Sequence, residues 1–168
     1  MGNGFDQITE KIYLGDYTSA NDIPKLKEEG ITKILTVMDY DDGQNEKYDP
    51  NEFTHLKFNV CDDEYQNIIQ YFGECLNYIK EKDEKVLVHC MAGASRSATI
   101  VIAYLMWTQK LKFDKAFDLV KSKRQIVCPN DGFQEQLKLF EKLLIENDYD
   151  INKINFKEIK WTPRVVYS

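Results

Sequence analysis

The chain has 168 residues, 43% of them hydrophobic and 30% charged, with 8 Gly and 4 Pro; that balance fits one packed domain and excludes a disordered or fibrous chain. A net charge of −6 without any basic block argues against nucleic acid as a partner, because affinity for a phosphate backbone needs clustered Lys and Arg. No apolar run approaches the roughly 18 residues of a membrane span, no secretory pattern opens the chain and no Asn-x-Ser/Thr acceptor occurs, so a cytoplasmic protein is expected. Cysteines stand at 61, 75, 90 and 128 without a C-x-x-C pair, and His55 and His89 are the only histidines. Reduced thiols, no metal and no cofactor are the natural expectation.

In chain order, Lys11 to Leu14 reads as a short strand, and a helix follows around Asp22 to Glu29 with Gly30 placed to end it in the left-handed conformation. Ile34 to Met38 reads as a buried strand. Asp39 to Pro50 is acidic, contains Asp-Asp-Gly and Asp-Pro, and is a loop. Leu56, Phe58 and Val60 alternate with His55, Lys57 and Asn59, a strand with one face inward that turns His55 outward.

From Tyr65 to Glu81, Ile68, Ile69, Phe72, Leu76 and Ile79 recur at helical spacing, with Cys75 as small core filler. Val86 to Val88 is a β-branched strand, and Ala98 to Trp107 is apolar on all sides, as a central helix is. Two more helices are predicted. One runs from about Asp114 to Arg124 with basic residues at its end; the other spans Asp131 to Glu146, with Asp131 as N-cap and Gln134 three residues on. Residues 1–150 form the domain, and 151–168 a tail without a clear period.

The segment with the most chemistry is Lys85 to Thr99, which reads strand, tight loop, helix. Five residues, Met91, Ala92, Gly93, Ala94 and Ser95, separate Cys90 from Arg96. Such a loop can curl until its backbone N–H groups converge on one oxyanion, while the helix N-terminus adds its positive end. Arg96 can close the ring with a bidentate fork onto two phosphate oxygens, and Gly93 supplies a backbone conformation that a side chain resists. The same positive field favours a thiolate at Cys90, beneath the bound phosphorus. His89 then fixes the loop by hydrogen bonding, and Ser97 can donate to the Cys90 sulfur when it leaves.

His89-Cys90-Met91-Ala92-Gly93-Ala94-Ser95-Arg96-Ser97 resembles the signature of the cysteine-dependent dual-specificity protein phosphatases. Ile12-Tyr13-Leu14-Gly15, Gly30 to Leu35, Ala103 to Met106 and Pro129 to Leu137 resemble further family segments, in the right order. The resemblance implies an α/β fold, a mixed sheet of about five strands flanked by helices. It also implies hydrolysis of phosphotyrosine or phosphoserine/phosphothreonine through a cysteinyl-phosphate, with phosphorylated proteins as partners and the chain a monomer.

A departing oxygen needs a proton, and Asp62, Asp63 and Glu64 are the nearby acids. In the family the acid precedes an aromatic-Phe pair by a fixed interval, so Tyr71-Phe72 implies Asp62, with Asp63 the alternative. Asn130 resembles a family residue that steadies the loop, though a plain N-cap is the other reading. Arg124 matches a family arginine near the rim, which contacts a second phosphate or satisfies its own helix end; both stay open.

Met91, Ala92 and Ala94 are not basic, unlike the loops of related lipid phosphatases, so protein is favoured over a phosphoinositide. RNA 5′-triphosphate hydrolysis and phosphate binding with little turnover are the remaining alternatives. Residues Met1 to Ile8 resemble the small myristoylated branch that includes the Jun-kinase-stimulatory phosphatase, which makes Gly2 a lipidation candidate, although Asp6 stands where acylation prefers Ser or Thr. One lipid chain gives only reversible attachment, so membrane contact is at most transient.

Overall fold

The computed structural model describes residues 4–39 and 47–164, which leaves Gly2 and most of the Asp39–Pro50 loop outside the described residues. Five strands make one sheet: β1 (Phe5–Gln7), β2 (Ile12–Gly15), β3 (Ile31–Val37), β4 (Thr54–Phe58) and β5 (Lys85–His89), in the order β1-β2-β5-β3-β4. β1 runs antiparallel to β2, and the other neighbours are parallel. The described helices are α1 (Tyr17–Ala20), α2 (Ile23–Glu29), α3 (Phe72–Lys80), α4 (Arg96–Thr108), α5 (Phe113–Lys123) and α6 (Asp131–Glu146).

Side-chain alternation divides the interior into two layers. Ile12, Leu14, Leu35, Val37, Val86 and Val88 join the large core with α3 to α6, whereas Tyr13, Ile31, Ile34 and Leu87 pack with Ala20 and Leu26 of α1 and α2. Helices on both faces explain why β3 and β5 are buried on both sides along most of their length. Ile100, Val101, Ile102, Leu105 and Met106 of α4 are buried, each contributing a gross ~1.5–3 kcal/mol. Because β2, β5, β3 and β4 are parallel, their C-terminal ends share one edge, and the segments beginning at Asp16, Cys90, Met38 and Asn59 all emerge there. That is the edge where open α/β sheets hold ligands.

Several expectations match: α2 lies within the span expected for it, and Gly30 ends it with φ +77°; Asp22 caps its start by accepting from the Lys25 N–H. Cys75 is fully buried, and burial pushes its thiol far above the ordinary range. Others are corrected. β1 was not predicted, since a three-residue edge strand has too few positions to show a period. The expected helix from Tyr65 begins only with a 3₁₀ turn at Ile69–Tyr71, because residues 61–68 are held in a loop by side chains described below. The N-cap of α6 is Asn130, whose Oδ1 accepts from the Phe133 N–H, rather than Asp131.

His55 does not face solvent. It is half-buried, with Tyr48 edge-on at 4.8 Å and the Thr36 hydroxyl at 2.8 Å, because the chain through Tyr48 and Phe53 covers that face of β4. The tail also packs: Ile151 and Phe156 are buried, and the Phe156 ring lies 5.9 Å from Phe140.

Candidate active site

Six residues, Cys90 to Ser95, join β5 to α4. Their successive carbonyls are drawn outward by four different donors. Met91 O accepts from Tyr17 N–H (3.0 Å) and Ala94 O from Cys128 N–H (2.8 Å), while Ala92 O and Gly93 O accept from Arg124 Nη2 (3.1 Å) and Nε (2.9 Å). Peptide N–H and C=O groups point in opposite directions, so fastening the carbonyls outside leaves the amides lining the concave side. Gly93 has φ +69°, and a Cβ there would run into the backbone of Gly15 and the Arg124 guanidinium. Its N–H reaches Cys90 Sγ at 3.3 Å, and Ser97 Oγ lies 3.1 Å from the same sulfur. Cys90 is only 2% exposed.

Arg96 begins α4, 8% exposed, where the helix N-terminus and the loop converge. Its Nη1 donates to Asp39 Oδ1 (2.8 Å) and Val60 O (3.0 Å), whereas its buried Nε has no partner among the described residues. A buried guanidinium edge beside a loop of backbone amides has the charge and the donors to take an oxyanion. Asp39, at the mouth beyond β3, is held below the usual carboxylate range by its own backbone N–H and then by Arg96. Partial desolvation, followed by the Asp39 charge it bonds to, pushes the Cys61 thiol up.

His89 is fully buried, with Nδ1 3.2 Å from Cys90 O and Nε2 2.7 Å from Thr36 Oγ1.

The acid loop beyond β4 is anchored to this framework. Asp62 is exposed, and its Oδ1 accepts from Asn130 Nδ2 at 3.0 Å. The Asn130 backbone N–H in turn donates to Ser95 Oγ at 3.0 Å, so one residue caps α6, touches the Cys90–Ser95 loop and holds Asp62. Asp63 instead accepts from Tyr65 N–H in a local turn. Gln66 Oε1 accepts from Cys61 N–H, and the buried Gln136 bridges Gln66 O and Ile69 N–H. Glu64 lies so close to Gly132 that no Cβ would fit between them.

Arg124 is 2% exposed. Its guanidinium faces the back of the loop and pairs with Asp6 Oδ2 at 2.9 Å, so its bonds among the described residues go to the loop and β1 rather than to the rim or its own helix end. Sequence reasoning missed Asp6, Thr36, Asp39 and Gln136; only Asp39, at the end of a parallel strand, carried a signal. Among the described residues, no group of three or more His, Cys, Asp or Glu side chains is gathered to hold a metal.

Residues 12–143 match the family described as the dual specificity phosphatase catalytic domain. The chain is 35% identical over 161 residues to dual specificity protein phosphatase 22-B of Danio rerio, covering 94% of this chain and 85% of that protein. It is 43% identical over 139 residues to MAP kinase phosphatase with leucine-rich repeats protein 1 of Dictyostelium discoideum, covering 82% of this chain but 16% of that much longer protein. Among solved structures, it resembles human tyrosine phosphatase-like serine/threonine/tyrosine-interacting protein with a TM-score of 0.76 and 34% identity, over 85% of this chain and 99% of that one.

Proposed function

We propose that this chain, which belongs to the dual specificity phosphatase family and is a protein-tyrosine/dual-specificity phosphatase, works through a cysteinyl-phosphate at Cys90. The supporting observation is the cradle itself: a buried thiol beneath the loop's amides, beside an arginine whose Nε has no partner among the described residues. In this reading the amides of residues 91 to 96 and the open Nε edge of Arg96 take the phosphate oxygens. The Cys90 thiolate attacks phosphorus in line, the ester bond breaks, and protonated Asp62 gives its proton to the departing oxygen. Water then attacks the cysteinyl-phosphate, Asp62 takes a proton back, and phosphate leaves while the Ser97 hydroxyl stabilises the returning thiolate. His89, Asn130 and Arg124 hold the parts in register.

Phosphorylated proteins are the proposed substrates, and MAP kinases, which the Dictyostelium relative's name specifies, are the first to try. The negative net charge and the absence of Lys from the loop favour them over phosphoinositides and RNA. A panel of phosphopeptides, phosphoinositides and 5′-triphosphorylated RNA tests this, and preference for lipid or RNA rejects it. Cys90→Ser should bind phosphopeptide yet turn over below about 1% of wild type, since covalent catalysis is lost while the amides remain; activity near wild type would remove Cys90 as nucleophile.

The further reading, a myristoylated branch member that is monomeric, cytoplasmic and only transiently at membranes, is supported by the likeness of residues 1–8 and by the net charge. Mass spectrometry after co-expression with an N-myristoyltransferase, with Gly2→Ala as control, tests the lipid.

A further inference from the structure

We propose that His55 is a positioning residue for the Cys90 loop: its Nε2–H starts a one-way hydrogen-bond chain through the Thr36 hydroxyl and His89 to the Cys90 carbonyl. The kinetic consequence rests on the phosphatase reading above; the chain of bonds is a property of the fold.

The three side chains lie on adjacent strands. Thr36 of β3 is opposite His89 of β5, and His55 of β4 is opposite Ile34, one step away on the face that Thr36 shares. Thr36 Oγ1 is 2.8 Å from His55 Nε2 and 2.7 Å from His89 Nε2, and Thr36 is fully buried. Its hydroxyl has one proton and can donate to only one of the two rings.

The direction follows from the far end. His89 Nδ1 lies 3.2 Å from the Cys90 carbonyl oxygen, which has only lone pairs, so Nδ1 carries a proton. A neutral His89 then presents a lone pair at Nε2, and Thr36 donates to it. With that proton committed, the remaining short contact requires His55 to donate from Nε2. The one atom this leaves over is His55 Nδ1, as a lone pair, and that buried atom has no partner among the described residues. The reverse direction would place an N–H there, and a buried orphan N–H is the rarer and costlier arrangement.

Burial with Lys57 nearby keeps His55 neutral at physiological pH, as the donor role requires. A donor at His55 thus holds the Thr36 proton toward His89, which keeps the His89 N–H on the carbonyl of the nucleophile's own residue.

The chain has two histidines, so ¹⁵N-histidine labelling resolves both rings without ambiguity. At pH 7 we expect His55 as the Nε2–H tautomer and His89 as the Nδ1–H tautomer. An Nδ1–H His55, or a positively charged His89, would overturn the proposal. His55→Phe keeps a ring against Tyr48 and removes the donor. It should shift the His89 Nε2 resonance and lower kcat about three- to tenfold with KM little changed, the effect of one lost hydrogen bond.

His55→Gln, which restores an N–H at similar reach, should recover kcat to within about twofold. Unchanged His89 resonances and unchanged kcat in His55→Phe would refute the role. The tautomer measurement needs no turnover, so it stands or falls separately from the phosphatase reading, and it is made on wild type even where a variant fails to fold.

Discussion

Replacing Arg124 by Met keeps most of the buried stem and removes the guanidinium. Arg124 supplies two charged hydrogen bonds, at 2.9 Å to Gly93 O and 3.1 Å to Ala92 O, and is 2% exposed. Such bonds contribute roughly 1.5–3 kcal/mol each, and two that share one cation do not add fully. The Asp6 carboxylate is 42% exposed, so that ion pair adds at most about 1 kcal/mol. A loss of about 3–5 kcal/mol follows, or a fall in Tm of roughly 10 °C for a chain of this size. Two of the four carbonyl tethers vanish with it, and a loop displaced by about 1 Å costs ~10²-fold in rate.

Thermal unfolding followed by circular dichroism, with kcat on an aryl phosphate, measures both effects; Asp6→Asn should cost no more than about 1 kcal/mol. A Tm within about 2 °C of wild type and kcat within twofold would refute the tethering argument. So would a loss confined to doubly phosphorylated peptides, which would make Arg124 a second-phosphate contact.

Asp62→Asn should slow tyrosine phosphate hydrolysis by roughly 10²–10⁴-fold and an activated aryl phosphate far less, because protonation matters most for a basic leaving group. If Asp63→Asn gives that pattern instead, the acid is misassigned by one residue. Arg96→Lys should reduce kcat/KM by about 10²-fold or more, since an ammonium cannot replace both the Asp39 bond and the open Nε edge; retention of a tenth of the activity would contradict this.

Burial, with Lys57 adding, lowers the His55 pKa from 6.5 to about 4. Unfolded chain therefore binds a proton between those values that the folded chain refuses, so stability is full above pH 6.5 and is lost as pH falls toward 4. The shift corresponds to about 3 kcal/mol, reduced to ~2 by partial exposure. Urea midpoints at pH 7 and 4.5 should fall further for wild type than for His55→Phe; equal falls would show that His55 is not the group responsible.

Where a signal is local, sequence and structure agree. The Cys90 to Ser97 string is contiguous, so its strand, turn and helix follow from the order of the residues, and Gly30 and Asp22 act through their own backbone neighbours. The apolar spacing around Ile68 to Ile79 likewise determined which side chains are buried, though not where the helix begins: Gln136, far along the chain, holds the Ile69 N–H and delays the first turn.

Alternation along β4 put His55 in solvent, because period two tells which face a residue takes but not whether another segment covers that face; Tyr48 covers it. Arg124 sits at the end of a helix, so its position suggested a cap, and the family resemblance a rim contact. The parallel sheet brings the loop after β5 against the end of β2 and the start of α1, and only that meeting turns the guanidinium onto Ala92, Gly93 and Asp6. Composition and motif thus determined which residues make up the Cys90 loop and the order in which they stand. Which groups hold that loop open and in register was decided by pairing between distant segments, whose energy depends on three-dimensional proximity that no window of sequence contains.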